Sequence, residues 1–132
     1  MAAMRAGLLD TSVFIARETS RPLDVAALPD ESGVSAVTIG ELRLGVLQAE
    51  DDATRSARLS TLAAAQRLEP LPVDEQVAAA WALLRRRLRM AGLRMEINDS
   101  WIAATAIAHG MAVVTQDLGF PDGIADLTIV RV

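Results

Sequence analysis

The sequence predicts an α/β protein, a three-layer α/β/α sandwich with a mostly parallel central sheet. Short apolar runs such as Ala6–Leu9 and Ala112–Thr115 alternate with longer segments whose apolar residues recur at helical spacing. Such fully apolar runs are typical of strands buried on both faces, and alternating strands and helices favour a parallel sheet covered by helices. With 132 residues the chain is long enough for one core, so we expect a single domain over residues 1–132.

Turn and capping residues divide the first half of the chain into two strands and three helices. The predicted elements are a strand over 6–9, a helix from 13, a turn-rich segment over 19–29, a strand near 34–35, and helices over 38–49 and 51–68. The residues expected to face the core are Leu42, Val46 and Ala49 in the first long helix and Leu59, Leu62 and Ala63 in the second.

In the second half, Pro70 and Pro72 bracket a connection or short edge strand. Asp74 is expected to cap a long helix, which Gly92 ends. The remaining predicted elements are a helix that opens at Asn98 or Asp99 and closes at His109-Gly110, a strand over 112–115, and a last strand over 127–132.

Composition excludes several classes of site. The chain has no cysteine, which excludes disulfides, zinc thiolate sites and cysteine nucleophiles. All thirteen basic residues are arginine, so lysine-dependent sites such as the P-loop are excluded as well. A net charge of −4 argues against a surface that binds nucleic acid everywhere. The N-terminus lacks the apolar core of a secretory signal and no run is long enough to span a membrane, so we expect a cytoplasmic protein.

Four acidic residues occupy positions that a parallel sheet brings to one edge. Asp10 ends the first strand, Asp117 follows the strand over 112–115, and Asp99 begins the helix that leads into that strand. Glu41 lies in the first predicted turn of the helix after the second strand. Carboxylates that meet at such an edge repel one another by a few kcal/mol per close pair, so the set requires a cation. Oxygen ligands without cysteine or histidine favour Mg²⁺, with Mn²⁺ as a substitute.

Each acid also has a purely structural interpretation. A helix cap accounts for Asp10, the helix dipole for Asp99 and a turn for Asp117. For Glu41 this alternative is strongest, because Thr38-Ile39-Gly40-Glu41 has the form of a capping box in which the glutamate bonds back to Thr38. Taken one by one the structural interpretations are favoured, whereas the four positions together favour a metal site.

The segments LLDTSVFIA, IGELRLGV, NDSWIAATAIAHG and VVTQD resemble the acidic motifs of PIN-domain nucleases, specifically the VapC-type ribonuclease toxins. The resemblance covers nearly the whole chain in order and spacing. It implies a divalent-metal-dependent endoribonuclease that acts on RNA of the tRNA or rRNA class. The residues it implies are Asp10, Glu41, Asp99 and Asp117 as metal ligands, with Thr11, Ser12 and Thr115 as their supports.

One position departs from the family pattern. Family members often have an acid just before the phenylalanine that follows the last motif, and here that position is Gly119 in DLGF. Asp122 is the candidate substitute, so the choice between one metal ion and two stays open.

The family also implies a homodimer and a cognate antitoxin that inserts a basic residue among the carboxylates. Apolar residues around Val46, Leu59 and Leu62 exceed the needs of one core, which also favours a homodimer and an antitoxin groove beside the site.

Contacts to RNA are less well defined by the sequence. Arg85, Arg86 and Arg89 in RRRLRMAGLR are candidate RNA contacts, although the same run also fits a solvated helix end that interacts with the dipole. Trp81 and Trp101 are expected to pack against protein rather than stack on bases. The single histidine, His109, is expected to end a helix rather than take part in catalysis.

Two other function classes remain open at this stage. A magnesium-dependent phosphatase or phosphoacceptor domain also places aspartates at strand ends, but it would need a second acid near Asp10 and a lysine. A catalytically weak binding module on the same fold is the other alternative, since fold does not imply function.

Overall fold

The computed structural model describes residues 6–132, in which four parallel strands form one sheet in the order β2-β1-β3-β4. Its strands are β1 (Ala6–Leu9), β2 (Glu31–Gly33), β3 (Ala112–Thr115) and β4 (Ile129–Arg131). The prediction about a secretory segment rests in part on residues 1–5, which lie outside the described residues. Among the helices of residues 6–132, none is long and apolar enough to cross a membrane.

Five α-helices accompany the sheet, and most of their predicted caps are present. The helices are α1 (Thr11–Glu18), α2 (Ala36–Leu47), α3 (Asp52–Gln66), α4 (Glu75–Ala91) and α5 (Ile97–Ala108), with a short 3-10 turn at Val25–Ala27. Asp51 and Asp74 accept backbone hydrogen bonds at the starts of α3 and α4. Gly92 ends α4 with a φ of 69°, a left-handed conformation that glycine adopts without strain.

The second strand begins and ends earlier than predicted. Val34 and Ser35 follow β2 and pair with Leu71 instead, through a bond from Leu71 N to Val34 O and one from Ala36 N to Leu71 O. Ser35 then caps α2, because its Oγ accepts from Val37 N at 3.0 Å. The segment between Pro70 and Pro72 is therefore a single parallel bridge, and α2 begins two residues before Thr38.

Other element boundaries differ by one to two residues at each end. α1 begins at Thr11 rather than Val13, because Asp10 already accepts from Ser12 N. α5 begins at Ile97 after Glu96, so neither Asn98 nor Asp99 is its cap. β4 is confined to Ile129–Arg131, inside the predicted range of 127–132.

The two faces of the sheet pack against different helices, which gives the predicted three layers. Because side chains alternate along a strand, Leu8 and Val113 join the core under α4 and α5, whereas Leu9 and Val114 join the core under α1, α2 and α3. The inward face of α3 carries Leu62 and Ala65. Leu59 is 48% exposed and Ala63 is exposed, so the prediction that both face the core is wrong.

Candidate active site

Each of the four predicted acids is supplied by a different part of the fold, at the carboxyl edge of the sheet. Asp10 follows β1 and is nearly buried, and Asp117 lies two residues beyond β3. These strands are neighbours, and Asp10 N donates to Val114 O at 2.9 Å. Asp99 is the third residue of α5 and is 9% exposed, while Glu41 lies in the second turn of α2 rather than the first.

Two hydroxyl groups fix the carboxylate of Asp10. Ser12 Oγ donates to Asp10 Oδ2 at 2.8 Å, and Thr115 Oγ1 donates to the same oxygen at 2.9 Å. The same hydroxyls accept from the next two backbone amides, Gln116 N on Ser12 and Asp117 N on Thr115. This network ties the end of β1 to the loop after β3, so it sets the position of Asp117 relative to Asp10.

Thr11 positions Glu41 in the same way from the neighbouring side. Its Oγ1 donates to Glu41 Oε1 at 2.7 Å and lies 3.0 Å from Thr38 Oγ1. Glu41 makes no capping box with Thr38, because Ser35 is the cap and Thr38 is already inside the helix. The structural interpretation of Glu41 as a capping-box residue is therefore wrong. Its carboxylate bonds across to α1 and, through Asn98 Nδ2 at 3.5 Å, to α5.

The acidic cleft is a cavity of about 380 Å³ at this edge, lined by Arg94, Met95, Glu96, Asp99, Asp117 and Gly119. Burial raises the pKa of Asp99 to about 7, and the negative charges of Asp10, Asp117, Glu96 and Glu41 add to this effect. All the charges that act on this carboxyl group are thus negative. Although Asp10 and Glu41 do not line the cleft itself, they are close enough to influence the carboxyl group within it.

Gly119 lies beside two of the acids of the cleft, Asp117 and Asp99. Gly119 N donates to Asp117 Oδ1 at 2.9 Å. A Cβ at this position would lie 3.3 Å from Asp117 Oδ1 and 3.5 Å from Asp99 Oδ2. Any side chain here would therefore enter the space between these carboxylates. Asp122 does not line the cleft, and its carboxylate lies 3.4 Å from Arg131 instead.

The donor set fits a divalent cation in its chemistry, although the side chains are not closed into a ready-made site. No three acidic or histidine side chains of residues 6–132 already form a metal-binding group. Within the same range, Asp10 Oδ1, Asp117 Oδ2 and both oxygens of Asp99 accept no hydrogen bond. Hard oxygen atoms left free in this way suit Mg²⁺ or Mn²⁺.

The site also contains four residues that are not among the candidates predicted from the sequence. Glu96 lines the cleft beside Asp99 and Asp117, and Asn98 bonds Glu41. Gln116 Nε2 donates to Pro22 O and Val132 O, which holds the loop after β3. Arg131 donates to Asp117 O at 3.0 Å and to Phe120 O at 2.8 Å. Only Glu96 had a sequence signal, since it lies three residues before Asp99, one turn away on a helix.

The candidate RNA contacts lie apart from the carboxylates. Arg85, Arg86 and Arg89 line a second cavity beside the acidic cleft. The two tryptophans stack on each other, with ring centroids 4.5 Å apart and an interplanar angle of 6°, as expected for packing within the protein. His109 is the exposed residue that ends α5.

Sequence comparisons identify the family of this chain. A family model described as "PIN domain" matches residues 7–123. Ribonuclease VapC4 of Mycobacterium tuberculosis is 58% identical over 114 residues, which span 86% of this chain and 88% of that protein. Ribonuclease VapC5 of the same organism is 49% identical over 129 residues, which span 96% of both chains.

The fold has a matching relative among solved structures. A crystal structure of a member of the VapBC family of toxin-antitoxin systems, VapBC-5 from Mycobacterium tuberculosis, superimposes with a TM-score of 0.88 and 47% identity. The match covers 96% of this chain and 98% of that one. These comparisons confirm the resemblance inferred from the four acidic motifs: the chain belongs to the PIN-domain family, with the VapC proteins among its relatives.

Proposed function

We propose that this protein is a Mg²⁺- or Mn²⁺-dependent endoribonuclease toxin that is neutralised by a cognate antitoxin. The observation that supports this most strongly is the raised pKa of Asp99, to which burial and the charges of Asp10, Asp117, Glu96 and Glu41 all contribute. Carboxylates that raise the pKa of one another in this way are typical of sites that bind a cation. The relatives named ribonucleases VapC4 and VapC5 supply the reaction class.

Hydrolysis of a phosphodiester requires an activated water, neutralisation of charge at phosphorus and stabilisation of the leaving oxygen. A divalent cation held by Asp10, Asp99, Asp117 and Glu41 would supply this Lewis-acid chemistry. The contribution of the protein is to hold those oxygens in place. Ser12 and Thr115 fix Asp10, and Thr11 fixes Glu41, so these carboxylates are positioned before substrate enters.

Cleavage of RNA by the purified chain, free of any partner, tests this proposal. We expect cleavage with Mg²⁺ or Mn²⁺ and none with EDTA. Asp10→Asn and Asp117→Asn should each lower the rate by about 100-fold or more, because loss of outer-shell partners alone costs about 10- to 100-fold in metal sites. Cleavage that continues at the same rate in EDTA would show that the carboxylates are not metal ligands.

The substrate class is a narrower part of the same proposal. We expect cuts in tRNA or rRNA, and mapping of the new RNA ends after induced expression would identify the molecule and the position. Cuts spread over messenger RNA without preference would contradict this class while leaving the nuclease activity intact.

The proposed antitoxin has a candidate docking groove beside the site. A cavity of about 240 Å³ between α1, α2 and α3 is lined by Ile15, Leu42, Gly45 and Glu41 among others. Glu41 thus lies where the apolar groove and the acidic site meet. A partner helix in this groove would be able to place a basic side chain next to the carboxylates. The VapBC-5 relative is described as a toxin-antitoxin system, which supports a partner of this kind.

We also propose a homodimer, from the apolar side chains that remain exposed. Leu62, one of the residues on which this expectation was based, is buried in the core of its own chain, but Leu44 is 53% and Leu47 is 76% exposed on α2. Light scattering of the purified chain should give the mass of two copies, and a monodisperse monomer would contradict the proposal.

A further inference from the structure

A groove that lies next to the acidic cleft is lined mainly by arginine. It has a volume of about 610 Å³ and contains Arg85, Arg86 and Arg89 of α4 and Arg94 of the following connection. Arg94 and Met95 line both this arginine groove and the acidic cleft. The two cavities are therefore adjacent, and a strand bound in one would extend toward the other.

Most of the positive charge in the arginine groove is not neutralised by the protein. Among residues 6–132 the ion pairs are Arg55–Asp52, Arg87–Asp126 and Arg131–Asp122. Arg86, Arg89 and Arg94 are exposed and form none of these. Arg85 differs from these three, because its guanidinium donates to Met95 O at 2.9 Å. This bond stabilises the connection between α4 and α5.

The groove has the features of a backbone-binding surface rather than a base-reading one. No aromatic residue lines it, and Trp81 and Trp101, which would offer stacking surfaces, are stacked on each other. An acidic peptide that followed the groove to its end would meet Glu96, Asp99 and Asp117 and be repelled there. A nucleic acid strand instead carries the phosphate that a cation-loaded acidic cleft would accept.

We infer that the arginine groove binds the phosphodiester backbone of single-stranded RNA on one side of the cleaved phosphate, with Arg94 on the phosphate nearest the acidic cleft. This inference rests on the proposed ribonuclease function and adds a path for the substrate to it. Arg86 and Arg89 contact phosphates farther along the strand. Because these contacts are to phosphate, they contribute affinity and position the strand but do not read the sequence.

Binding measured without cleavage tests the groove separately from the nuclease activity. The full chain is titrated in EDTA against a fluorescein-labelled 12-nucleotide RNA, with salt varied between 50 and 200 mM. Each of Arg86→Gln, Arg89→Gln and Arg94→Gln should reduce the slope of log K against log salt by about 0.7, the value for one phosphate contact on a single strand. The triple variant should lose a slope of about 2 and bind about tenfold or more weakly at 50 mM salt.

Two matched variants control for the loss of charge. Arg87→Gln removes a guanidinium from the same helix, but one that is paired with Asp126 and does not line the groove. Arg67→Gln removes an exposed arginine after α3, a helix that packs on α1 and α2 rather than α4. Both controls should leave the salt slope unchanged, and melting temperatures should show that every variant is folded.

Several outcomes would overturn the inference. One is a triple variant that binds the RNA with the wild-type slope, and another is an Arg87→Gln control that loses as much affinity as Arg86→Gln. Displacement of the RNA by a glutamate-rich peptide of equal charge at equal concentration would assign the groove to an acidic protein partner instead. Failure to cleave in Mg²⁺, with RNA binding intact, would overturn the ribonuclease function and leave the groove assignment standing.

Discussion

The carboxyl group of Asp99 has the least favourable environment of the four acids. Its neighbours Ser100 and Ile102 are fully buried, and the hydroxyl groups that bond Asp10 and Glu41 do not reach it. Burial and surrounding negative charge therefore raise its pKa to about 7. In the absence of a cation, the folded protein binds a proton here that the unfolded chain releases above a pKa of about 3.9.

This difference sets the pH dependence of stability in EDTA. The folded-state pKa lies above the unfolded one, so the stabilisation from the bound proton is complete below about pH 4 and is lost as the pH rises through about 7. The side chain that Asp99→Asn introduces is uncharged at every pH, so the variant does not lose stability as the pH rises through about 7. We expect the variant to melt a few degrees higher than the wild type at pH 8 in EDTA, by differential scanning fluorimetry, and to melt at a similar temperature near pH 4.

The Asp99→Asn variant also distinguishes two roles of Asp99, that of a metal ligand and that of a charge that favours the helix dipole. Mg²⁺ should raise the melting temperature of the wild type by mass action and that of Asp99→Asn much less. If Asp99 only favoured the dipole of α5, its neutralisation would cost about 0.3–1 kcal/mol and lower the melting temperature in EDTA. Asp30→Asn, an exposed aspartate before β2, is the control and should change neither result.

At the level of helices and strands, sequence pattern was sufficient where a single local signal decides the structure. Asp51 caps the start of α3, Asp74 caps the start of α4, and Gly92 ends α4, as predicted. These predictions hold because capping and left-handed turns depend on neighbouring residues alone. The predicted start of α2 at Thr38 is wrong, since the residue that caps the helix is Ser35, three positions earlier. Ser35 caps the helix, because Val34 and Ala36 on either side of it are tied to Leu71, a contact that the local sequence does not reveal.

The residues of the candidate site were likewise predictable where a local signal marks them and not where a long-range contact places them. Asp10 and Asp117 follow from strand ends, which a periodicity argument locates well. The bonds from Arg131 and Gln116 that hold the loop around Asp117 were not predictable, because they join residues up to 94 positions apart. Glu96 was missed because α5 was expected to open one or two residues later than it does, at Asn98 or Asp99.

The revised start of α2 gives a specific prediction for Glu41. Glu41→Gln keeps an acceptor for Thr11 Oγ1 and leaves the Ser35 cap untouched, so the melting temperature should change by less than about 2 °C, as for a surface substitution. The negative charge is lost, so cleavage in Mg²⁺ should fall by about 100-fold or more. Glu31→Gln, an exposed glutamate at the opposite edge of the sheet, is the matched control in both assays. Full activity of Glu41→Gln would show that Glu41 has only a structural role.

Over the whole molecule, the sheet separates two surfaces that meet at the row of acids. The arginine groove lies on the side of α4 and α5, and the apolar groove lies among α1, α2 and α3. Glu41 borders the apolar groove, whereas Asp99 and Asp117 border the cleft that adjoins the arginine groove. Substrate and antitoxin would thus approach the same carboxylates from different sides, so an antitoxin is able to block the site without competing along the full length of the RNA.

This separation predicts a variant that escapes inhibition while remaining an active nuclease. Ile15 lines the apolar groove and is 39% exposed, so Ile15→Asp should be tolerated in the free protein and place a charge under the partner helix. Burial of an isoleucine side chain contributes about 1.5–3 kcal/mol, so affinity for the antitoxin should fall about 10- to 100-fold. The measurement is titration with the cognate antitoxin, followed both by calorimetry and by inhibition of RNA cleavage. Val25→Asp, at an exposed valine outside the groove, should bind and be inhibited like the wild type. Equal inhibition of Ile15→Asp would place the antitoxin elsewhere on the molecule.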